Sequence, residues 1–136
     1  DSNEFEIRIR PHPEFPMSDD LCCGFPYSKS IGVLADDLQW ADVVLYASST
    51  VGLQAISWGI PVVHLNLGGF LNTDPLSGWS DFRWGVDNPD HLISIINDIR
   101  NLSEEEYHLR KQKALEYAAD YLKPATDDSI SIFWEQ

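Results

Sequence analysis

Three consecutive hydroxyl residues stand near the middle of the chain, between an apolar run and a helical pattern. They are Ser48, Ser49 and Thr50, and they follow "DVVLYA" at 42–47. Ser and Thr oxygens cap helices by accepting backbone amides that lack a partner in the first turn. The same amides, at the positive end of the helix dipole, also bind anions such as phosphate. One hydroxyl is enough for a cap, so three in a row favour a ligand as well.

The residues after the triplet extend this candidate phosphate site. If the helix begins at Thr50, the amides of Thr50, Val51 and Gly52 have no acceptor within the helix. Gly52 has no side chain and would let a phosphate approach the backbone closely. We therefore predict phosphate binding at these residues, and the alternative is a turn that only caps the helix.

A second group with chemical potential is "RPHP" at 10–13. The residue before a proline is restricted to extended geometry, so the prolines fix Arg10 and His12 at the end of a strand. A guanidinium and an imidazole suit a phosphate oxygen, or a leaving group that needs a proton. The alternative is that the prolines only end the strand and that His12 is a surface residue.

The charge of the chain argues against one class of partner. Nine Lys and Arg stand against 22 Asp and Glu, which gives a formal net charge of −13. Nucleic-acid binding depends on neutralising phosphates with cations, so we expect no nucleic-acid partner. An anionic ligand would have to be held by local dipoles and a few placed cations.

Cysteine and histidine usage points to a reducing compartment and to no metal site. Cys22 and Cys23 are adjacent and have no other cysteine to pair with, so we predict a cytoplasmic location. No Cys or His spacing typical of a metal site occurs. His64 lies inside an apolar strand pattern and is interpreted as a core or rim histidine. No apolar run approaches the roughly 20 residues of a transmembrane segment.

Apolar periodicity defines the elements that must position these groups. The first predicted elements are a strand within 5–13, a loop over 14–29, and a helix from Ile31 to Ala41 that is capped by Ser28 or Ser30. The central elements are a strand over 42–47 covered on both faces, a helix over 51–58 ended by Gly59, and a buried strand over 61–67. The chain then continues with a long loop over 68–87 that holds "FRWGV" as an edge strand, a helix after Asn88, a helix from Ser103 to before Pro124, and an amphipathic tail over 127–136.

Alternating strands and helices predict an α/β fold. We expect a Rossmann-like parallel sheet flanked by helices, with a helical C-terminal third. Residues 1–136 are predicted to form a single domain, and the start at Asp1 suggests a fragment of a longer two-domain protein. Ligands of such sheets bind beyond the carboxyl ends of the strands. The hydroxyl triplet, "RPHP" and "NLGG" at 66–69 all map to that edge.

The block "ADVVLYASSTVGLQAISWGIPVV", at 41–63, resembles the donor-binding half of GT-B glycosyltransferases. In that family an Ala-Asp strand leads to a Ser/Thr turn, a helix and then Gly-x-Pro-Val. The resemblance extends to "IRPHP" and to the closing helices. It implies a nucleotide-sugar donor whose phosphates are held at Ser48, Ser49 and Thr50. The family's acidic residue for the ribose hydroxyls is replaced by Gln54, which can still hydrogen-bond a diol.

The His-Pro dipeptide with a Ser pair also resembles bacterial sialyltransferases and glycerophosphate-polymer transferases, whose donors carry CMP or CDP. His12, Pro13, Ser48 and Ser49 match that pattern. The donor base is therefore open among UDP, GDP, dTDP and cytidine nucleotides. No Asp-x-Asp occurs, which fits a reaction without a metal.

The resemblance further implies a glycan or lipid-linked acceptor in a bacterial surface or capsular polysaccharide, and no cofactor beyond the donor substrate. His12 would contact the leaving group. The general base would come from a missing N-terminal Rossmann-like domain, so the fragment alone is expected to be inactive. The parent protein would be cytoplasmic and peripheral at the inner membrane.

Two alternatives remain open at this point. A non-catalytic α/β binding or scaffold module would fit Gln54 and the acidic charge. A sugar-nucleotide epimerase of the same architecture is the other, although "SSTVGLQ" replaces the acidic, glycine-rich helix start expected there.

Overall fold

The computed structural model describes residues 5–14, 17–18, 26–66, 68, 73–124 and 126. The chain divides into two compact units, Asp1–Ala41 and Asp42–Gln136. The predictions for the adjacent cysteines, for part of the 14–29 loop and for the tail at 127–136 lie outside the described residues.

The first unit contains a two-stranded parallel sheet, in which β1 is Arg8–Ile9 and β2 is Ser28–Lys29. The carbonyls of Ile7 and Ile9 accept from the amides of Ser28 and Ser30 at 2.9 and 2.8 Å. β1 stops before Pro11, as predicted, because a proline has no amide to donate to a ladder. The loop predicted over 14–29 was wrong at its end, since β2 lies there.

Helix α1 spans Leu34–Trp40 and begins later than predicted. Ser28 lies in β2, and the Ser30 hydroxyl donates to a carboxylate on α1, so neither serine caps the helix. Val33 takes the cap position without a side-chain capping bond. Ile31 is 99% exposed, so the helical spacing that included it was misleading.

The second unit is built on a three-stranded parallel sheet with the order β3-β4-β5. The strands are Val44–Tyr46, Val62–Leu65 and Arg83–Val86. Tyr46 pairs with His64, and Leu65 pairs with Val86. The prediction of an edge strand at "FRWGV" is confirmed by β5.

Helices cover both faces of this sheet. The three are α2 at Val51–Ser57, α3 at Leu92–Arg100 and α4 at Glu104–Tyr121. α2 packs on β3 and β4, and α4 packs against α2. On the opposite face, Ile99 of α3 packs with Val63 and Val86. The α/β class, the parallel sheet with flanking helices and the helical C-terminal third are confirmed.

One prediction about β3 is wrong. The run "DVVLYA" was expected to be covered on both faces, yet Leu45 is 41% exposed. The cluster under α3 forms around Val63 and Val86, on β4 and β5, and it reaches Val43 but does not include Leu45. A continuous apolar run therefore belongs here to an edge strand of the described sheet.

The local signals at helix ends hold. α2 is followed by Gly59 with φ +70°, a left-handed conformation that glycine adopts without steric cost. The Asn88 side chain accepts from the Asp90 amide and so caps a 3-10 turn at Pro89–His91, whereas α3 itself begins only at Leu92. Ser103 Oγ accepts from the Glu106 amide at 3.2 Å at the start of α4, as its capping pattern predicts.

Candidate functional site

The hydroxyl triplet lies where the chain leaves the carboxyl end of β3, and all three residues are exposed. Ser49 Oγ accepts from the Val51 amide at 3.2 Å, so this serine supports the first turn of α2. Thr50 occupies the cap position with a helical backbone and makes no side-chain capping bond. The helix start thus uses Ser49 for a local bond, while the Thr50 hydroxyl is not part of the cap.

Gly52 is buried, and its neighbour is Tyr46. A Cβ built on Gly52 would lie 2.6 Å from Cζ and 2.8 Å from Cε1 and Cε2 of the Tyr46 ring. Real Cβ atoms do not approach that closely, so a glycine is needed here to seat α2 on the ring. Close packing inside the protein therefore accounts for Gly52, and its contact with a phosphate stays a prediction.

Gln54 and Val51 complete the predicted set on α2. The Gln54 side chain is exposed, and its backbone amide donates to the Thr50 carbonyl at 3.1 Å. The Gln54 carbonyl accepts from Ser57 Oγ at 2.7 Å. Val51 is half-buried. The amide side chain of Gln54 is accessible to a ligand, and its contact with a ribose stays a prediction.

The ends of the other two strands bring further polar groups to the same edge. Asn66 Nδ2, after β4, donates to Asp87 Oδ1, after β5, at 2.7 Å. The Gly68 amide donates back to Asn66 Oδ1 at 3.3 Å. Parallel strands lie about 4.8 Å apart, so the polar ends of β3, β4 and β5 span about 10 Å. Hydroxyl, amide and carboxylate groups therefore line one edge of the sheet.

A buried polar network lies beneath this edge, and the sequence analysis missed it. The Asp74 carboxylate is fully buried and accepts from the Tyr46 hydroxyl at 2.7 Å and from the Leu76 amide at 2.9 Å. Arg83 donates to its other oxygen, with the Nε contact at 2.8 Å. Both carboxylate oxygens are therefore satisfied, as a buried charge requires.

The network shifts the protonation equilibria of its members. Burial alone would raise the pKa of Asp74, but the hydrogen bonds from Tyr46, Leu76 and Arg83 outweigh it and hold that pKa below the usual value. Burial and the bond to Asp74 raise the pKa of the Tyr46 phenol. The pKa of Arg83 is raised because its bonds to the network outweigh its own burial. At neutral pH the network holds one carboxylate, one guanidinium and one neutral phenol.

His64 borders this network on β4. Its Nδ1 lies 3.9 Å from Asp74 Oδ2, too far for a hydrogen bond, and its ring centroid lies 5.2 Å from that of Tyr46. The side chain is half-buried. This agrees with the interpretation of His64 as a rim histidine.

Arg10 belongs to the first unit and is engaged there. Its Nε donates to Asp37 Oδ2 at 2.6 Å, and its Nη2 donates to the Gly32 carbonyl at 2.7 Å. Asp37 also accepts from Arg8 and Ser30. Burial would raise the pKa of Asp37, but these three donors hold it below the usual value. A phosphate at Arg10 would have to compete with this carboxylate.

His12 is exposed at the end of the first strand segment. Its Nδ1 accepts from the Glu14 amide at 3.1 Å, so the neutral ring carries its proton on Nε2. Arg10 and His12 lie in one unit and the hydroxyl triplet in the other, so their action on a common ligand stays a prediction.

Comparisons with protein-family models, with curated proteins and with solved structures find no match to this chain. Among the residues that the structure describes, no three His, Cys, Asp or Glu side chains are grouped so that they could hold a metal ion. Within those same ranges, no helix combines the length and the apolar character needed to cross a membrane.

Proposed function

We propose that this chain is the donor-binding half of a GT-B-like glycosyltransferase, which transfers a sugar from a nucleotide-sugar to a bacterial surface or capsular polysaccharide. In this proposal the acceptor is a glycan or a lipid-linked acceptor. The parent protein works in the cytoplasm, peripherally at the inner membrane, and a second Rossmann-like domain supplies the rest of the active site.

One observation carries this proposal. Ser48, Ser49 and Thr50 are all exposed at the carboxyl end of a strand in a parallel sheet, which is the edge where such sheets bind ligands. Helix capping accounts for the Ser49 hydroxyl alone. The sequence resemblance of 41–63 to donor-binding domains supports the same edge.

The chemistry is displacement at the anomeric carbon with departure of a nucleotide phosphate. The exposed hydroxyls of Ser48, Ser49 and Thr50 would stabilise the charge that develops on the departing oxygens, and the Val51 amide would exchange its bond to Ser49 Oγ for one to the ligand. The base that deprotonates the acceptor is supplied by the other domain.

A second candidate is a non-catalytic α/β binding or scaffold module. The Ser49 bond to the Val51 amide and the packing of Gly52 on Tyr46 favour it, because both give the turn a structural purpose. The two candidates differ in one measurable property, which is the affinity for nucleotides.

Titration of the ¹⁵N-labelled chain with UDP, GDP, CDP and CMP tests the proposal. We expect one nucleotide to shift the amides of residues 48–54, and the amides of Arg10 and His12 test the separate prediction for those two residues. The double substitution Ser49→Ala with Thr50→Ala should weaken binding by about 1–2 kcal/mol, which is the loss of two modest hydrogen bonds. That corresponds to roughly 5- to 30-fold in Kd.

Ser57→Ala is the matched control, because it removes a hydroxyl from the opposite end of the same helix. Its Kd should equal that of the unsubstituted chain. If all four nucleotides leave the spectrum unchanged, the donor-binding proposal fails and the scaffold candidate is favoured. An unchanged Kd in the double variant would contradict the role of the hydroxyls.

A further inference from the structure

We propose that Tyr46 and Asp74 are positioning residues that set the height of the first turn of α2, and with it the hydroxyl triplet, above the sheet. Only the ligand readout below depends on the proposed function. The contacts themselves are independent of it.

A continuous chain of contacts links β5 to the start of α2. Arg83 on β5 bonds to Asp74, and Asp74 accepts from the Tyr46 hydroxyl at 2.7 Å. The hydroxyl-bearing end of the same Tyr46 ring lies directly against Gly52, where a single added carbon would come within 2.6 Å of Cζ. The phenol therefore acts as a spacer between the sheet and the helix.

The spacer is rigid because its hydroxyl end is fixed. Asp74 is fully buried, and each of its oxygens has donors: Tyr46 and the Leu76 amide at Oδ1, and Arg83 at Oδ2. Rotation of the carboxylate would break several of these bonds at once. The Tyr46 ring is buried as well and cannot swing into solvent without exposing the core.

The hydroxyl triplet follows Tyr46 after a single residue, and α2 begins directly after the triplet. The triplet is thus connected to Tyr46 twice. Its N-terminal end joins Tyr46 through the backbone, and its C-terminal end leads to Gly52, which packs on the Tyr46 ring. Loss of the phenol hydroxyl should loosen the turn more than it loosens the rest of the second unit.

Tyr46→Phe isolates this effect, since it keeps the ring under Gly52 and removes only the bond to Asp74. The first readout is hydrogen exchange at the amides of Val51 and Gln54, which bond to Ser49 Oγ and to the Thr50 carbonyl. We expect their exchange to accelerate about 5-fold, in line with the loss of one buried hydrogen bond. The Glu106 amide at the start of α4 should report only any global change.

Ile99→Val is the matched control. It removes a methylene from the core on the opposite face of the sheet and touches neither Tyr46 nor α2. The second readout is the Kd of the nucleotide that binds best in the titration. This Kd should rise about 3- to 5-fold in Tyr46→Phe, because one modest hydrogen bond is lost, and it should stay constant in Ile99→Val.

The outcomes separate the two proposals. If exchange at Val51 and Gln54 rises no more in Tyr46→Phe than in Ile99→Val, the positioning role is overturned, whether or not any nucleotide binds. If exchange rises selectively but no nucleotide binds the unsubstituted chain, the positioning role holds and the proposed function fails. Selective exchange with an unchanged Kd would show that the positioning does not serve the ligand, and would overturn that part.

Discussion

Replacing Gly52 by alanine tests the packing that seats α2 on the sheet. The added Cβ would lie 2.6 Å from Cζ and 2.8 Å from two further carbons of the Tyr46 ring. The ring cannot retreat without breaking its hydroxyl bond to the buried Asp74 carboxylate. Helix α2 must therefore move away from β3, or the network must open.

Two opposing effects set the size of the change. Alanine is better than glycine in a helix by up to about 1 kcal/mol. Overpacking a filled core costs about 1–3 kcal/mol, and a hydrogen-bonded ring places the cost toward the upper end. We expect Gly52→Ala to lower the free energy of unfolding by about 1–2 kcal/mol.

Urea unfolding followed by both tryptophan fluorescence and circular dichroism gives that free energy, provided the two transitions coincide. A double-mutant cycle with Tyr46→Leu isolates the clash, because leucine lacks the three ring carbons concerned. In that background Gly52→Ala should be neutral or stabilising, by up to the helix-propensity difference of about 1 kcal/mol.

A Gly52→Ala variant as stable as the unsubstituted chain would refute the packing argument. So would an equal cost in both backgrounds of the cycle. The glycine would then have to be explained by the close approach of a ligand to the backbone, as the sequence alone suggested.

Two further predictions concern acid stability and capping. The pKa values of Asp37 and Asp74 in the folded chain lie below the usual value, so in acid the unfolded chain binds more protons than the folded chain. The contribution of these two carboxylates to the free energy of unfolding should therefore be fully present above about pH 5 and should fall as the pH drops below about 4. Asp74→Asn should show a shallower loss of urea midpoint between pH 7 and pH 3, and an unchanged slope would contradict the assignment. Ser103→Ala removes the acceptor for the Glu106 amide and should cost about 1 kcal/mol in urea unfolding. Ser80→Ala, at an exposed loop residue, is its control, and equal midpoints for the two would refute the capping role.

The second unit could be predicted from sequence because each of its elements carries a clear period or a clear end signal. "DVVLYA" and "PVVHLNL" are β-branched runs, and Gly59, Asn88 and Ser103 mark helix ends by their own backbone or hydrogen-bonding preferences. These signals act over a few residues, so they can be seen without the tertiary structure.

The first unit shows where such signals fail. β2 is two residues long, too short for any period, and exists because the carbonyls of Ile7 and Ile9 accept from the amides of Ser28 and Ser30. Ile31 matched the helical spacing by chance, since it is exposed and lies outside α1. The Ser30 hydroxyl donates to the Asp37 carboxylate and does not cap the helix. The pairing of β2 with β1 joins residues 20 positions apart, such as Arg8 and Ser28, so no local period could reveal it.

The candidate site was predicted in part. The exposed triplet at the end of β3 could be predicted because strand-to-helix turns carry hydroxyls for a local reason. The network under it could not, because Asp74 stands in a stretch with no period, and its side-chain partners lie 28 positions before it and nine after it. An arginine in the predicted edge strand, Arg83, was the one available signal, since a cation on a covered face requires an acid.

The carboxylate of Asp37 gives Arg10 an exchangeable partner. Three side chains donate to that carboxylate, and it stays partly open to solvent. If an anion displaces Arg10, Arg8 still pairs with the Asp37 carboxylate and the Ser30 hydroxyl still donates to it, so the acid keeps one cationic partner. Arg10 can therefore leave Asp37 to bind an anion, while Arg8 keeps its ion pair with Asp37 inside the first unit.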